Sequence, residues 1–206
     1  MPAREWSPAR FRATRYKRES ERRRANTMLL LAADSRVRYR GVDHAVVALA
    51  ENAGFERFDL TIVRVALQRR TISLIIAPRR LWHTPEGKSQ LLLLKREARS
   101  LSIRCILVSE GALKKEPRLT NARLIAGTSN TQLTHSQRFR VEMYVLSTIS
   151  PVSLSECAGI LPDHDDPVSA VLSLVRAGVL FIPLDTVIGP ETLVFAPLRV
   201  ASRRGE

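Results

Sequence analysis

Apolar positions along this chain follow two periods, and the alternation between them marks its elements. Residues 44–53 repeat apolar side chains at helical spacing, with Asp43 placed to cap the start and Gly54 to close the end. Residues 58–67 and 71–77 are instead rich in β-branched side chains and are separated only by Gln68, Arg69 and Arg70, which predicts a strand, tight turn and strand. Pro78 stops the second strand, because proline cannot donate to the ladder. A loop holding Pro85 and Gly87 then leads to a helix over residues 89–101, with Lys95, Arg96 and Arg99 on its wet side. Residues 103–109 read as a short buried strand, and Thr120 as the cap of a helix over residues 121–126. The expected result is an α/β domain, a small mixed sheet flanked by helices.

A polar stretch without period, residues 127–134, reads as a linker. Residues 135–149 then form an amphipathic pattern offering Phe139, Val141, Tyr144, Val145 and Leu146 to a core. Ser153 caps a second helix running to Ile160, and Asp166 with Pro167 opens a third that ends at Gly178. Two apolar segments, residues 179–184 and 192–197, are joined by a turn containing Gly189 and Pro190. Three helices followed by a β-hairpin is the layout of a winged helix-turn-helix domain. The domain expectation is therefore an arm over residues 1–26, an α/β domain over 27–127, a linker over 128–134, a winged helix over 135–200 and a tail over 201–206.

Charge changes this picture by giving the two ends different partners. The chain has 206 residues and a net charge of +13, yet residues 151–206 hold four Arg or Lys against seven acids, so the whole excess lies in residues 1–150. Such a field favours a polyanion such as DNA. Residues 1–26 alone carry nine bases and three acids, interleaved with Trp6, Phe11 and Tyr16. Bases neutralise phosphates and aromatics stack on nucleobases, so this segment reads as a DNA-binding arm with no evident core residues. Its DNA-contacting candidates are Arg10, Arg12, Arg15, Lys17, Arg18, Arg22, Arg23 and Arg24, joined by Arg69, Arg70, Arg79 and Arg80 at the two ends of one strand. The acidic C-terminal part reads as a protein-docking module. Asp165 and Asp166 would repel phosphate at the entrance of its third helix, where Arg176 is the only base.

Other chemistries find little support. Cys105 and Cys157 stand in unrelated apolar contexts and read as core thiols of a protein in a reducing, cytoplasmic, nucleoid-associated setting. His44, His83, His135 and His164 lack ligand spacing, and Asp163, Asp165 and Asp166 fall in a turn where Asp166 has a capping role. The glycines are dispersed, so no phosphate cradle is formed, and the longest apolar runs are too short for a membrane span.

Three phrases, IIAP at residues 75–78, KREARSLSIRCILVSE at residues 95–110 and LTNARLIAG at residues 119–127, resemble the TnsA-type endonuclease subunits of heteromeric transposases. The resemblance covers roughly residues 42–200 and implies a restriction-endonuclease-like core followed by a winged helix-turn-helix, in a bacterial mobile genetic element and in transposition. It also implies an Asp on one strand and a Glu or Gln, any residue, then Lys on the next, ahead of a proline. Carboxylates there hold a divalent metal and the lysine orients the attacking water.

Here the motif is degenerate. With Pro78 as the motif's proline, Ile75 stands where the acid belongs and Ala77 where the lysine belongs. A frame moved by two residues offers Arg79 but no carboxylate. The expectation is a DNA-binding accessory or regulatory protein without cofactor, on a TnsA-like fold that has lost its chemistry. One alternative is a divergent endonuclease using Mg2+ with Asp59, Glu51, Glu86 and Lys88, and another is a winged-helix transcription regulator.

Overall fold

The computed structural model describes residues 8–67, 70–149 and 151–196, and divides the chain into two compact units. Residues 1–28 and 39–115 form the first unit; residues 29–38 and 116–206 form the second. The α/β expectation holds in its coarse form, since the first unit is built on a mixed sheet of four strands.

The first described element is a helix, α1 (Pro8–Ala33), within and beyond the stretch that reads as a basic arm. Arg, Ala, Glu, Lys, Met and Leu dominate this stretch, all good helix formers, and no glycine or proline interrupts it after Pro8. Arg15 supports it with an ion pair to Glu19 one turn on. The helix also contributes to the fold: Arg23 is 1% exposed and Thr27 is buried. Its last residues belong to the second unit, where Leu29, Leu30 and Ala33 pack against that unit's core.

Strand β1 (Val37–Gly41) leads to helix α2 (His44–Asn52). Asp43 caps this helix through Val46 N, and Gly54 ends it with φ +84°. Phe55 N donates to Ala50 O and Gly54 N to Glu51 O, the paired bonds of a left-handed helix stop, and Phe55 folds back into the core. Strands β2 (Thr61–Leu67) and β3 (Arg70–Ala77) pair antiparallel from Thr61↔Ile76 to Leu67↔Arg70, as the sequence predicts.

After Pro78 the structure departs from the predicted loop. A short helix, α3 (Arg79–His83), is followed directly by α4 (Pro85–Ser100). Thr84 caps α4 through Gly87 N and Pro85 takes its first position, so the residues that read as loop punctuation are helix-start signals. Gly87 is required there, because a Cβ would come within 2.7 Å of Leu81 O. Strand β4 (Cys105–Ser109) then runs parallel to β3, and the sheet order is β1-β2-β3-β4. A single turn, α5 (Glu110–Leu113), follows.

The period-2 pattern of β2 and β3 decides what each face buries. Leu60, Ile62, Ile75 and Ala77 join Val46 and Ala50 of α2 and Leu91 and Leu94 of α4 in one apolar cluster. Thr61, Val63, Val65 and Ile76, at alternate positions, are also buried, so both faces of the hairpin are covered.

The second unit starts earlier than the sequence predicts. Helix α6 (Arg118–Gly127) belongs to it, and residues 128–130 form a 3-10 turn in which Thr128 is buried, so the start of the expected linker is folded. Pro117 rather than Thr120 precedes α6, and Glu116 Oε2 accepts from Thr120 N in its first turn. Helices α7 (His135–Ser147), α8 (Leu154–Gly159) and α9 (Pro167–Arg176) then appear where predicted. Thr134 with Gln137 and Ser153 with Glu156 form capping boxes, and Asp166 caps α9. Gly178, at φ +74°, stops α9 as expected.

Two details of this unit differ from the sequence reading. Val141 and Val145 of α7 enter the core, but Phe139 and Leu146 are about half exposed, because a single helix stripe faces inward. The expected hairpin is reduced to one bridge, Phe181↔Phe195. Most of its ladder goes elsewhere: β5 (Val152–Ser153) pairs with β6 (Leu193–Val194). Among the described residues, no helix is long and apolar enough to cross a membrane.

Candidate nucleic-acid interface

Helix α1 presents much of the basic charge. Arg15, Lys17, Arg18, Arg22 and Arg24 are all exposed, while the acids beside them are Glu19, already paired with Arg15, and Glu21. The side chains of Arg10 and Arg12 lie outside the described residues, as does Arg69. Arg23 is a correction to the DNA-contacting set. Its Nε donates to Thr61 Oγ1 at 3.0 Å and its NH2 to the carbonyls of Phe58 and Asp59 at 2.9 and 3.2 Å, with Glu110 3.9 Å away. Burial pulls its pKa down while Glu110 opposes the shift. A guanidinium enclosed in this way ties α1 to the start of β2 and cannot reach a phosphate.

Asp59 lies beside that anchor. Its carboxylate accepts from Arg80 and, at 2.9 Å, from Glu56 N, and Arg80 in turn stacks over Tyr16 of α1 with its guanidinium carbon 4.3 Å from the ring centre. Arg80 and Tyr16 are thereby engaged within the fold. Arg79 remains exposed, with its Nε donating to His83 Nε2 at 2.8 Å. Glu51 is exposed on α2, and Glu86 and Lys88 are exposed on the first turn of α4. Among the described residues, no three His, Cys, Asp or Glu side chains gather where they could hold a metal ion. Ile75 and Ala77 are fully buried in the apolar cluster against α2 and α4.

The other half of the same hairpin carries a second acid–base group. Asp43 is 1% exposed, and its carboxylate accepts from Arg64 Nε and NH2, each at 3.0 Å, from Ser73 Oγ, and from Val46 N at 3.4 Å. Burial alone would push this carboxyl up, but the bonds from Arg64, Ser73 and Val46 N together hold it below the usual carboxylate range. Arg64 and Ser73 are cross-strand partners on the face that also carries Ile62 and Ile75, beyond the end of the apolar cluster. They border an open cavity of about 590 Å3, which Arg70, Thr71, Ser102 and Arg104 complete. Among the described residues, Arg70 is the one DNA-contacting candidate from the sequence that lies in it.

The sequence reading missed Arg64, Ser102 and Arg104, and took Asp43 only as a cap. One signal was present: Arg64 interrupts TIVRVAL at a position in phase with Ile62, and a charge on an apolar strand face needs a partner. Arg104 carried no such signal, since its placement depends on β4 lying parallel to β3.

In the second unit, Asp166 accepts from Ser169 N at 3.0 Å and its own N donates to His164 Nδ1, the turn-and-cap arrangement expected of that run. Asn121, within the LTNARLIAG phrase, is fully buried. Its Nδ2 donates to Leu184 O and Thr186 O, and its Oδ1 accepts from Ile188 N at 3.3 Å, so it holds the segment ahead of β6. The chain matches no known protein-family model, and no curated protein matches it significantly.

Proposed function

We propose that this protein is a DNA-binding accessory or regulatory factor on a TnsA-like nuclease fold that lacks catalytic chemistry. The observation that carries the reading is the contrast between the interior and the surface of the first unit. Ile75 and Ala77, at the positions the resemblance assigns to the metal-binding acid and the lysine, are enclosed in the core. The exposed bases of α1 and of the hairpin tip face outward with few acids among them. Asp59, the remaining candidate acid, is engaged by Arg80 and Glu56 N, and Glu51, Glu86 and Lys88 stand on other elements.

The second unit supports a winged-helix reading through its order of helix, short strand, two helices and two returning β-segments. Its α9 is a poor reader of base edges. Ala170, Val171, Leu172, Leu174 and Val175 are buried, and the charge it exposes is Arg176 in its last turn. Phe139, Met143 and Leu146 of α7 are exposed at one-turn spacing, which favours a protein-docking role for this unit.

Fluorescence anisotropy with a labelled duplex, titrated with salt, tests the reading. Six to ten phosphate contacts lower affinity by about three to five decades between roughly 50 and 200 mM salt. A flat titration would refute DNA binding. Nicking of supercoiled DNA with Mg2+ or Mn2+ that disappears in Asp59→Ala would instead establish the divergent nuclease.

A further inference from the structure

The cavity beside Asp43 has properties that a merely solvated rim lacks. Three guanidiniums line it against a single carboxylate. Arg64 offsets the charge of that carboxylate, whose other described contacts are the donors Ser73 Oγ and Val46 N, so Arg70 and Arg104 leave the cavity net positive. Arg64 is bound by its Nε and NH2, an arrangement that fixes the guanidinium plane and leaves its third nitrogen, NH1, without a described protein partner. The side chains of Arg70 and Arg104 form no hydrogen bond or ion pair with any described residue, and both residues are exposed.

The backbone brings these groups together. Ser73 N donates to Arg104 O at 2.8 Å, so the start of β4 is joined to β3 just past Arg70 and Thr71. The turn into β4 is made by Ser102 at φ 60°, the one non-glycine residue at positive φ among the described residues, with Ile103 N donating to Ala98 O. Ser102 and Thr71 add hydroxyls to the lining. One guanidinium held in place, two uncommitted ones carried on adjacent strand ends, neutral hydroxyl donors and an open mouth suit a tetrahedral oxyanion.

We propose that this cavity is a phosphate seat, in which Arg64, Arg70 and Arg104 hold one backbone phosphate of duplex DNA. The assignment of that phosphate to DNA rests on the function proposed above, whereas the phosphate chemistry of the cavity does not. The seat is separate from the position the resemblance gives to nuclease chemistry. Asp43 acts at the Arg64↔Ser73 pair, two ladder positions from the Ile62↔Ile75 pair, where the acid is missing, and three from the Thr61↔Ile76 pair next to Asp59, or about 7 and 10 Å along the strand.

The test uses the full chain in two measurements. In the first, inorganic phosphate is titrated into 15N-labelled protein while the arginine Nε–Hε and backbone amide signals are followed. Saturable shifts are expected at Arg64, Arg70, Ser102 and Arg104, and are expected to vanish in Arg70→Gln/Arg104→Gln with the remaining spectrum unchanged. Absence of shifts, or their persistence in the double variant, overturns the seat. In the second, duplex affinity is measured against salt. The double variant is expected to bind about tenfold more weakly, with a salt slope smaller by about 1, and Arg70→Lys/Arg104→Lys to recover most of the loss. Equal duplex binding by wild type and the Gln variant, with the phosphate shifts present, overturns the DNA assignment and makes the seat one for free phosphate. A wild type that takes phosphate but binds no duplex at low salt refutes the proposed function and the DNA assignment together, and leaves the seat itself standing.

Discussion

Asp59 stands at the open end of the β2–β3 hairpin and Asp43 against its middle, each bound to an arginine, and their surroundings give them opposite uses. Around Asp59 the bases are turned inward: Arg80 lies between its carboxylate and the Tyr16 ring, and Arg23 is enclosed among carbonyls, a hydroxyl and Glu110. Around Asp43 only Arg64 is committed, and Arg70 and Arg104 face an open cavity. An Asp–Arg pair is therefore no measure of function by itself. What matters is whether uncommitted cations remain beside it and whether solvent can enter.

Arg23 is the side chain whose loss should cost the fold most. Arg23→Ala is expected to lower the unfolding free energy by about 4 kcal/mol, because it removes a buried charge on which Thr61, two carbonyls and Glu110 depend. Denaturant unfolding measures this, and a loss below about 1 kcal/mol would return Arg23 to the surface set.

Next in size is Asp43→Ala, expected to cost about 2 to 3 kcal/mol by removing the cap of α2 and the shared acceptor of Arg64 and Ser73. Its pH dependence sharpens the contrast. The carboxyl is depressed in the folded state, so its stabilisation is complete above the unfolded value, about pH 4, and declines as pH falls through the folded one. The gap between wild type and Asp43→Ala should therefore close on acidification, and a gap independent of pH would place the role in packing alone.

Asp59→Ala has a smaller expected effect, about 1 kcal/mol, since its pair with Arg80 is partly exposed. Duplex affinity is expected to stay within a factor of about two of wild type, because the freed Arg80 remains over Tyr16. A tenfold change in binding would bring the Asp59 end into the interface. Smallest of all, Ser102→Gly is expected to stabilise the fold by at most about 1 kcal/mol by relieving a left-handed backbone. Destabilisation would show that the Ser102 side chain has a structural role of its own.

Much of the local structure was legible in the sequence because caps and stops act over a few residues. Asp43, Ser153, Asp166, Gly54 and Gly178 all stand where their side chains or backbone freedom require. The same local grammar misled where one residue serves two purposes. Pro85 and Gly87 read as a loop, yet proline suits a first helical position and Gly87 clears the approach of Leu81. Arg23 read as one base among nine, since nothing within α1 distinguishes it from Arg22 or Arg24.

Residue order alone carries the two periods, the basic first part and acidic last part, the helix and strand boundaries near strong caps, and the absence of an acid at Ile75 and a lysine at Ala77. Those are properties of composition and short-range order, which a single chain carries without being folded. Which bases are enclosed and which are open is a property of the folded chain, because it depends on residues far apart in sequence. Arg23 meets Thr61 across 38 positions, Asp43 meets Ser73 across 30, and the parallel pairing of β3 with β4 carries Arg104 to the hairpin tip. A guanidinium is strongly favoured both in water and among buried acceptors, so its residue type cannot announce which of the two it occupies.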